Sequence, residues 1–373
     1  MQETREAIEA VDRRLLELLK ERIALVEEVA RAKLASASPL RDPQREDHVL
    51  HRVRALATEL GLDARQIEAL YRRILDVSVA HQQAFIGSLE WPPLRVAYQG
   101  VEGSYSHLAA RSRYAGREGG ALLTGFPTFR EAVDAVRGGA TDLALLPIEN
   151  TTAGAINETY DLLSEGGIVI TAELVSHVEH CLLALPGVEI GELRTVISHP
   201  QALAQCETFL RGIPGLRPQP EFDTAGAARK VRDAGDRTLA AIASESAGAL
   251  FGLQVLRHGI QTQAGNFTRF VELAREAGAC PPGIACKTSL LLTLEHRAGA
   301  LGRVLTCFGD RGVSLTRLES RPIPGRPWEY RFYLDIAGRD SDPAVRDAVA
   351  AIGPLTTELR LLGTYPEAGR GAD

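Results

Sequence analysis

A multidomain chain is predicted, with an all-α beginning, an α/β middle and an α+β end, and three observations carry that reading. From Thr4 to Lys33 apolar residues recur at Ile8, Val11, Leu15, Leu18, Leu25 and Val29, the three-to-four spacing of one face of a long helix. From Leu94 onward, short apolar runs end in glycine-bearing turns that lead into helical patterns, as in α/β units. From Ser289 the order is strand, helix, strand, strand, helix, strand, the ferredoxin-like arrangement. With 373 residues, 45% of them apolar, the chain can fill two to three cores. Residues 1–90, 94–275 and 287–365 are the expected domains, joined by linkers at Trp91-Pro92-Pro93 and from Glu276 to Gly283.

Charge and cysteine usage narrow the function. A net charge of −6 and a pI near 5.9 argue against nucleic acid or a membrane surface as the main partner. An anionic substrate therefore needs a local basic cluster. The five cysteines, Cys181, Cys206, Cys280, Cys286 and Cys307, show no CxxC spacing, which suggests reduced thiols in a cytoplasmic protein. No apolar run approaches the roughly 20 residues of a membrane span, and nothing marks the chain for export.

In the first helix Arg22 occupies the seam position between Leu18 and Leu25 where an apolar residue is expected. Steps of seven also align Arg5, Asp12, Leu19, Val26 and Lys33, so Arg5, Arg22 and Lys33 border one apolar face. Arg22 can be a register-setting polar residue of a bundle, or the three cations can receive a dianion. Asp42 reads as an N-cap and Pro43 as the first residue of a second helix to about Leu60, with Arg45 and Glu46 in its first turn. A third helix spans Ala64 to Phe85, with Ser78 and Gln82 on one face. Three helices so unequal in length do not easily close a core alone, which predicts two intertwined chains.

The middle is read from its strand ends. Leu94 to Tyr98 is a strand running into Gly103-Ser104-Tyr105-Ser106-His107 and a helix start, whose free N–H groups favour an anion. It lacks GxGxxG spacing, which argues against a dinucleotide site. Leu143 to Pro147 is a strand leading to Glu149, Asn150 and Thr151, where ligand contacts belong in an open α/β sheet; Asn150 could equally cap a helix. Thr195 to Ser198 leads into His199, which could be a general base or a helix cap. Gly265-Asn266-Phe267-Thr268-Arg269-Phe270 gathers a hydroxyl, an amide and a guanidinium between aromatics, a set suited to an oxygen-rich anion. The same stretch could be a surface turn entering an edge strand.

Arg5, Arg22, Lys33, Asp42, Arg45, Glu46, Ser78 and Gln82 resemble, at matching spacings across three helices, the active-site set of the all-helical chorismate mutases fused to prephenate dehydratase. The resemblance implies a Claisen rearrangement of chorismate to prephenate in sites shared by two chains, with Arg5 supplied by the partner. Arg5 and Arg22 would hold carboxylates, while Lys33 and Gln82 would donate to the ether oxygen, and no covalent intermediate is needed.

The motifs GSYSH, PIENTTAG, SHPQALAQC and NFTRF, in this order, resemble prephenate dehydratase. That resemblance implies a two-lobed, periplasmic-binding-protein-like α/β domain whose cleft takes prephenate to phenylpyruvate. Ser104, Ser106, Glu149, Asn150, Thr151, Ser198, Gln201, Gln205, Thr268, Arg269 and Phe270 are its expected substrate contacts, with Thr268 catalytic. Thr262 stands where many relatives carry Asp or Asn.

Gly299-Ala300-Leu301-Gly302 and Glu319-Ser320-Arg321-Pro322 resemble the two motifs by which an ACT domain binds phenylalanine, which implies feedback inhibition across an ACT–ACT dimer. No cofactor or metal is expected. Two other readings stay open: an arogenate dehydratase, and an amino-acid sensor without catalysis.

Overall fold

The protein, seen in a computed structural model, is described over residues 2–35, 43–90, 92–117 and 119–368. Three helices form a first unit: α1 (Gln2–Ala35), α2 (Pro43–Glu59) and α3 (Ala64–Glu90). α1 and α2 each pack on α3, burying Val26, Ala30, Leu50, Val53 and Ala57. α3 continues five residues beyond the expected end at Phe85, because nothing opposes a helix until Trp91, whose α conformation Pro92 disfavours. The first two-thirds of α1 buries none of its large apolar side chains: Ile8 and Val11 are each 56% exposed and Leu18 61%.

The second unit opens with a lobe built from β1 (Leu94–Gln99), α4 (Tyr105–Tyr114), β2 (Ala121–Phe126), α5 (Phe129–Arg137), β3 (Leu143–Asn150), β4 (Gly154–Ala155), α6 (Asn157–Glu165) and β5 (Val169–His177). The chain then crosses to β6 (Cys181–Ala184), β7 (Thr195–Ser198), α7 (Pro200–Gln205), α8 (Glu207–Arg211), β8 (Arg217–Pro220), α9 (Thr224–Ala234), β9 (Leu239–Ala243), α10 (Glu245–Phe251) and β10 (Gln254–Arg257). It returns as β11 (Phe267–Ala274), giving sheets ordered β2-β1-β3-β11-β5 and β10-β6-β9-β7-β8. β11 is therefore a central strand and not an edge. It pairs antiparallel with both neighbours, Thr268 lying opposite Asn150 on β3 and Ser176 on β5. Phe270, Val271 and Leu273 are all at most 1% exposed, which explains why this strand sits inside the sheet.

The remaining elements are β12 (Cys286–Thr293), α11 (Ala300–Gly309), β13 (Leu315–Ile323), β14 (Arg326–Ala337), α12 (Pro343–Ile352) and β15 (Glu358–Pro366), in a sheet ordered β13-β14-β12-β15. This is the ferredoxin-like order. Its sheet shares a core with the first lobe, since Leu291, Tyr333, Leu362 and Tyr365 cluster with Leu146, Tyr160, Leu163 and Ile170. β15 runs beside β5 so closely that a Cβ at Gly363 would overlap the Ile170 carbonyl oxygen. Cys280 and Cys286 are disulfide-bonded, with Cα atoms 6.6 Å apart, against the expectation of five thiols; Cys181, Cys206 and Cys307 are free. That Cα separation lies within the range a disulfide can span. No described helix is long and apolar enough to cross a membrane.

Candidate functional site

In the helical unit Arg22 Nη1 donates to Ser78 Oγ, and Ser78 Oγ donates to the Ile74 carbonyl at 2.6 Å. Gln82 follows Ser78 by one helical turn and is 7% exposed, and its Oε1 has no partner among the described residues. An amide can turn by 180°, so this buried position can present a donor or an acceptor. Arg45 and Glu46 lie in the first turn of α2. Lys33 falls in the last turn of α1, but its side chain, like all of Asp42, lies outside the described residues. Arg5 precedes Arg22 by 17 positions on a continuous helix, about 25 Å at 1.5 Å per residue. The two cannot meet around one small molecule within a chain.

A cavity of about 510 Å³ opens between the two α/β lobes. From the first lobe it is lined by Gln99, Ser104, Tyr105, Ser106, Asn150, Thr268 and Phe270, and from the second by His199, Gln201, Gln205 and Asp223. His180, on the crossover, completes the wall. Ser104 caps α4, accepting from His107 N at 3.3 Å, and Gly103 N donates to His107 Nδ1 at 3.1 Å. The left-handed φ of +87° at Gly103 lets the turn close there. Burial lowers the pKa of His107 and leaves it the acceptor that this bond requires. His199 likewise accepts a backbone N–H, from Gln201 at 3.2 Å, so it serves as the cap of α7.

Thr268 stands at the junction. Asn150 Nδ2 donates to Thr268 Oγ1 at 3.0 Å and to Asn266 Oδ1 at 2.8 Å, while Asn150 Oδ1 accepts from the backbone N–H groups of Thr152 and Ala153, both at 3.0 Å. The Asn150 side chain therefore caps a turn and orients Thr268 together. Because Thr268 Oγ1 accepts here, its own hydrogen is left to point into the cleft.

Four expected contacts lie elsewhere, for reasons of strand alternation and local capping. Arg269 follows Thr268, so it projects from the opposite face of β11, where its guanidinium meets Glu173 at 2.9 Å, Asp335 at 2.9 Å and Glu149 at 3.4 Å. Glu149, next to Asn150, projects the same way and also pairs with Arg317. The Thr151 hydroxyl donates to the Gly265 carbonyl at 2.8 Å and accepts from Phe267 N at 2.9 Å, tying two loops together. Ser198 is fully buried, donating to the Ile242 carbonyl at 2.6 Å. Arg269 and Glu149 thus belong to a buried ionic network that reaches Asp335 and Arg317 of the ferredoxin-like domain. Conversely, Tyr105, His180 and Asp223 line the cleft without being among the expected contacts. Tyr105 carried a signal as a member of the GSYSH motif, and Asn266, the amide of the NFTRF stretch, joins the cleft wall through Asn150 and Gln205.

In the third domain Gly299, with φ +72°, precedes α11, and Ala300, Leu301 and Gly302 form its first turn. Glu319, Ser320, Arg321 and Pro322 lie within β13 and not in a turn, and Arg321 is held by Asp161 on α6 at 3.0 Å. Arg317 stacks over Tyr160 at 5.2 Å.

Comparison with known proteins matches the same three segments. The chorismate mutase type II family matches residues 4–83, prephenate dehydratase residues 96–278 and the ACT domain residues 288–354. A bifunctional chorismate mutase/prephenate dehydratase of Escherichia coli is 40% identical over 97% of this chain and 95% of its own length. The chain belongs to the bifunctional chorismate mutase/prephenate dehydratase family. Among solved structures, a prephenate dehydratase of Arthrobacter aurescens in complex with L-Phe aligns with TM-score 0.67 and 31% identity, over 74% of this chain and 90% of that one. A protein described as a novel type of quorum quenching acylase, GqqA, also aligns with TM-score 0.67, at 35% identity over 74% of this chain and 98% of its own. The two-lobed fold with its ACT domain is thus wider than one activity, and the cleft residues have to carry the function.

Proposed function

We propose that this protein catalyses two steps of phenylalanine biosynthesis: residues 1–90 rearrange chorismate to prephenate, and residues 94–275 convert prephenate to phenylpyruvate. The observation that carries the second step is the Asn150–Thr268 hydrogen bond at 3.0 Å on the cleft wall, with Asn150 as donor. In this reaction the ring carboxylate leaves as carbon dioxide, its electron pair aromatises the ring, and the ring hydroxyl departs with the C–O pair. Hydroxide is a poor leaving group, so a hydrogen bond donated to it lowers the barrier. The Thr268 hydroxyl, aimed by Asn150, supplies that donor, and the Ser104 to Ser106 turn at the N-terminus of α4 receives a carboxylate. Turnover of prephenate to phenylpyruvate, followed by absorbance with arogenate as a second substrate, tests the reading. Turnover of arogenate alone would replace it.

For the mutase, Arg22, Ser78 and Gln82 form the half-site of one chain, and Arg5 of a second copy completes it. The uncovered apolar stripe of α1 supports such a homodimer. The reaction takes place in the cytoplasm, a reading that Cys181, Cys206 and Cys307 support as free thiols and the Cys280–Cys286 bond does not. L-phenylalanine acts at Gly299 to Gly302 and Glu319 to Pro322 between paired ACT domains, lowering dehydratase turnover. The ionic network supports a route for this control, because Arg269 binds Asp335 while its neighbours Thr268 and Phe270 face the cleft.

A further inference from the structure

The hydrogen bonds along the cleft wall have a direction that their backbone ends fix. Asn150 Oδ1 accepts from the backbone N–H groups of Thr152 and Ala153, so this amide cannot be turned round. The Asn266 atom 2.8 Å from Asn150 Nδ2 is then Oδ1, which leaves Asn266 Nδ2 to donate to Gln205 at 3.2 Å. The receiving Gln205 atom is Oε1, and the same oxygen lies 2.7 Å from His180 Nε2. That ring nitrogen must carry a hydrogen. At the other end, Tyr105 Oη lies 2.7 Å from the Glu179 carbonyl oxygen, which can only accept, so the phenolic hydrogen sits between them. His180 Nδ1, 2.8 Å from Tyr105 Oη, must therefore supply the hydrogen of that contact. Both ring nitrogens are donors, and an imidazole has two donors only as the imidazolium.

Two facts say when that charge is present. Burial opposes it: His180 is 2% exposed and its pKa is lowered by desolvation, so without a neighbouring anion the neutral ring is favoured. The substrate, by contrast, brings two carboxylates to a wall that, among the described residues, includes no Arg or Lys. The groups around His180 offer no alternative cation. Tyr105 on α4 is held neutral well above its ordinary range, Cys181 beside it is pushed up to about 11 and Cys206 at the end of α7 to about 12. Glu179 is exposed, His258 faces Cys181 at 3.7 Å, and the cleft acids Glu158 and Asp223 are of the wrong sign. His199 is the other imidazole in the wall, but protonating its Nδ1 would break the α7 cap.

Building on the dehydratase reading, we infer that His180 takes up a proton as the dianionic substrate enters, and that this buried imidazolium is the positive charge the cleft offers it. His180 acts as a positioning residue, through Gln205 and Tyr105, and as a binding charge. Its signature is a separation of pH profiles in the full-length enzyme. The kcat/KM for prephenate falls about tenfold per pH unit above the ionisation of the free His180 ring, while kcat holds to higher pH. His180→Gln lowers kcat/KM on the order of tenfold at pH 6 and removes that falling limb. Gln205→Glu, which puts a carboxylate at Nε2, moves the limb to higher pH, and His199→Gln leaves it in place. The calorimetric transition of the dehydratase and ACT domains in the same preparations reports folding. A wild-type kcat/KM flat from pH 5.5 to 8, a limb that persists in His180→Gln, or one lost in His199→Gln would overturn the inference. A wild-type enzyme with mutase but no prephenate turnover would instead remove the dehydratase reading beneath it.

Discussion

Replacing Arg269 by Met distinguishes a substrate clamp from an internal strut. The guanidinium is 12% exposed and is shared by Glu173, 1% exposed, and Asp335, 10% exposed. Removing one member of a buried pair costs about 3–5 kcal/mol, because the remaining charge loses its compensation. Part of that loss is offset here: Glu173 keeps Lys287 at 2.9 Å and Asp335 keeps the Ser289 hydroxyl at 2.6 Å. The low end, about 3 kcal/mol, is therefore expected. For a unit of more than 200 residues each kcal/mol moves Tm by roughly 2–4 °C, so the transition of the dehydratase and ACT domains should fall by roughly 6–12 °C in calorimetry. The transition of the helical unit should stay where it is. The KM for prephenate should remain near the wild-type value, and inhibition by L-phenylalanine should weaken. Combining Arg269→Met with Asp335→Asn should cost less than the sum of the two alone, since they share one interaction. An unchanged Tm together with a greatly raised KM would return Arg269 to the substrate and refute the argument from strand alternation.

Other outcomes follow from the same geometry. Thr268→Ala should lower dehydratase kcat by about 10²–10³-fold with mutase turnover intact, and Thr268→Ser should recover most of it, as read by phenylpyruvate absorbance. Arg5→Ala and Arg22→Ala should each abolish mutase turnover. Mixing the two chains should restore about a quarter of it, because half the dimers are mixed and half their sites are whole. A mixture as inactive as its components would exclude a shared site. Leu15→Glu on α1 should lower the mass seen in sedimentation, and an unchanged mass would place the interface elsewhere. His107 and His180 are both held below the ordinary imidazole range by burial. The unfolded chain therefore gains protons that the folded chain refuses as pH falls below about 6.5, and Tm should drop between pH 7 and 5.5. Phenylpyruvate should oppose that drop if the cleft binds it.

Sequence reading reached the elements better than the directions of side chains. The three helices, the ferredoxin-like order and the positions of Asn150, Gln205 and Thr268 at strand or helix ends follow from periodicity and from motif spacing, both local properties of the chain. The faces of β3 and β11 were another matter. Thr268 and Arg269 stand side by side in the motif and look like one site, yet they serve different domains. The pattern could not show this, because β11 is buried on both faces and gives no polar–apolar alternation. His180 carried no signal either, since it lies alone between Glu179 and Cys181.

The residue order determined which segments become helices and strands, that three domains follow one another, and that Asn150 and Thr268 belong to a cleft. Those properties depend on neighbours within a few positions. Only the folded chain decided that Arg269 and Glu149 face the ACT domain, that Cys280 meets Cys286, and that His180 closes a chain of hydrogen bonds from Tyr105 to Thr268. These depend on which strands lie side by side, and a residue spaced 75 positions from Tyr105 becomes its hydrogen-bond partner only after the two lobes have formed.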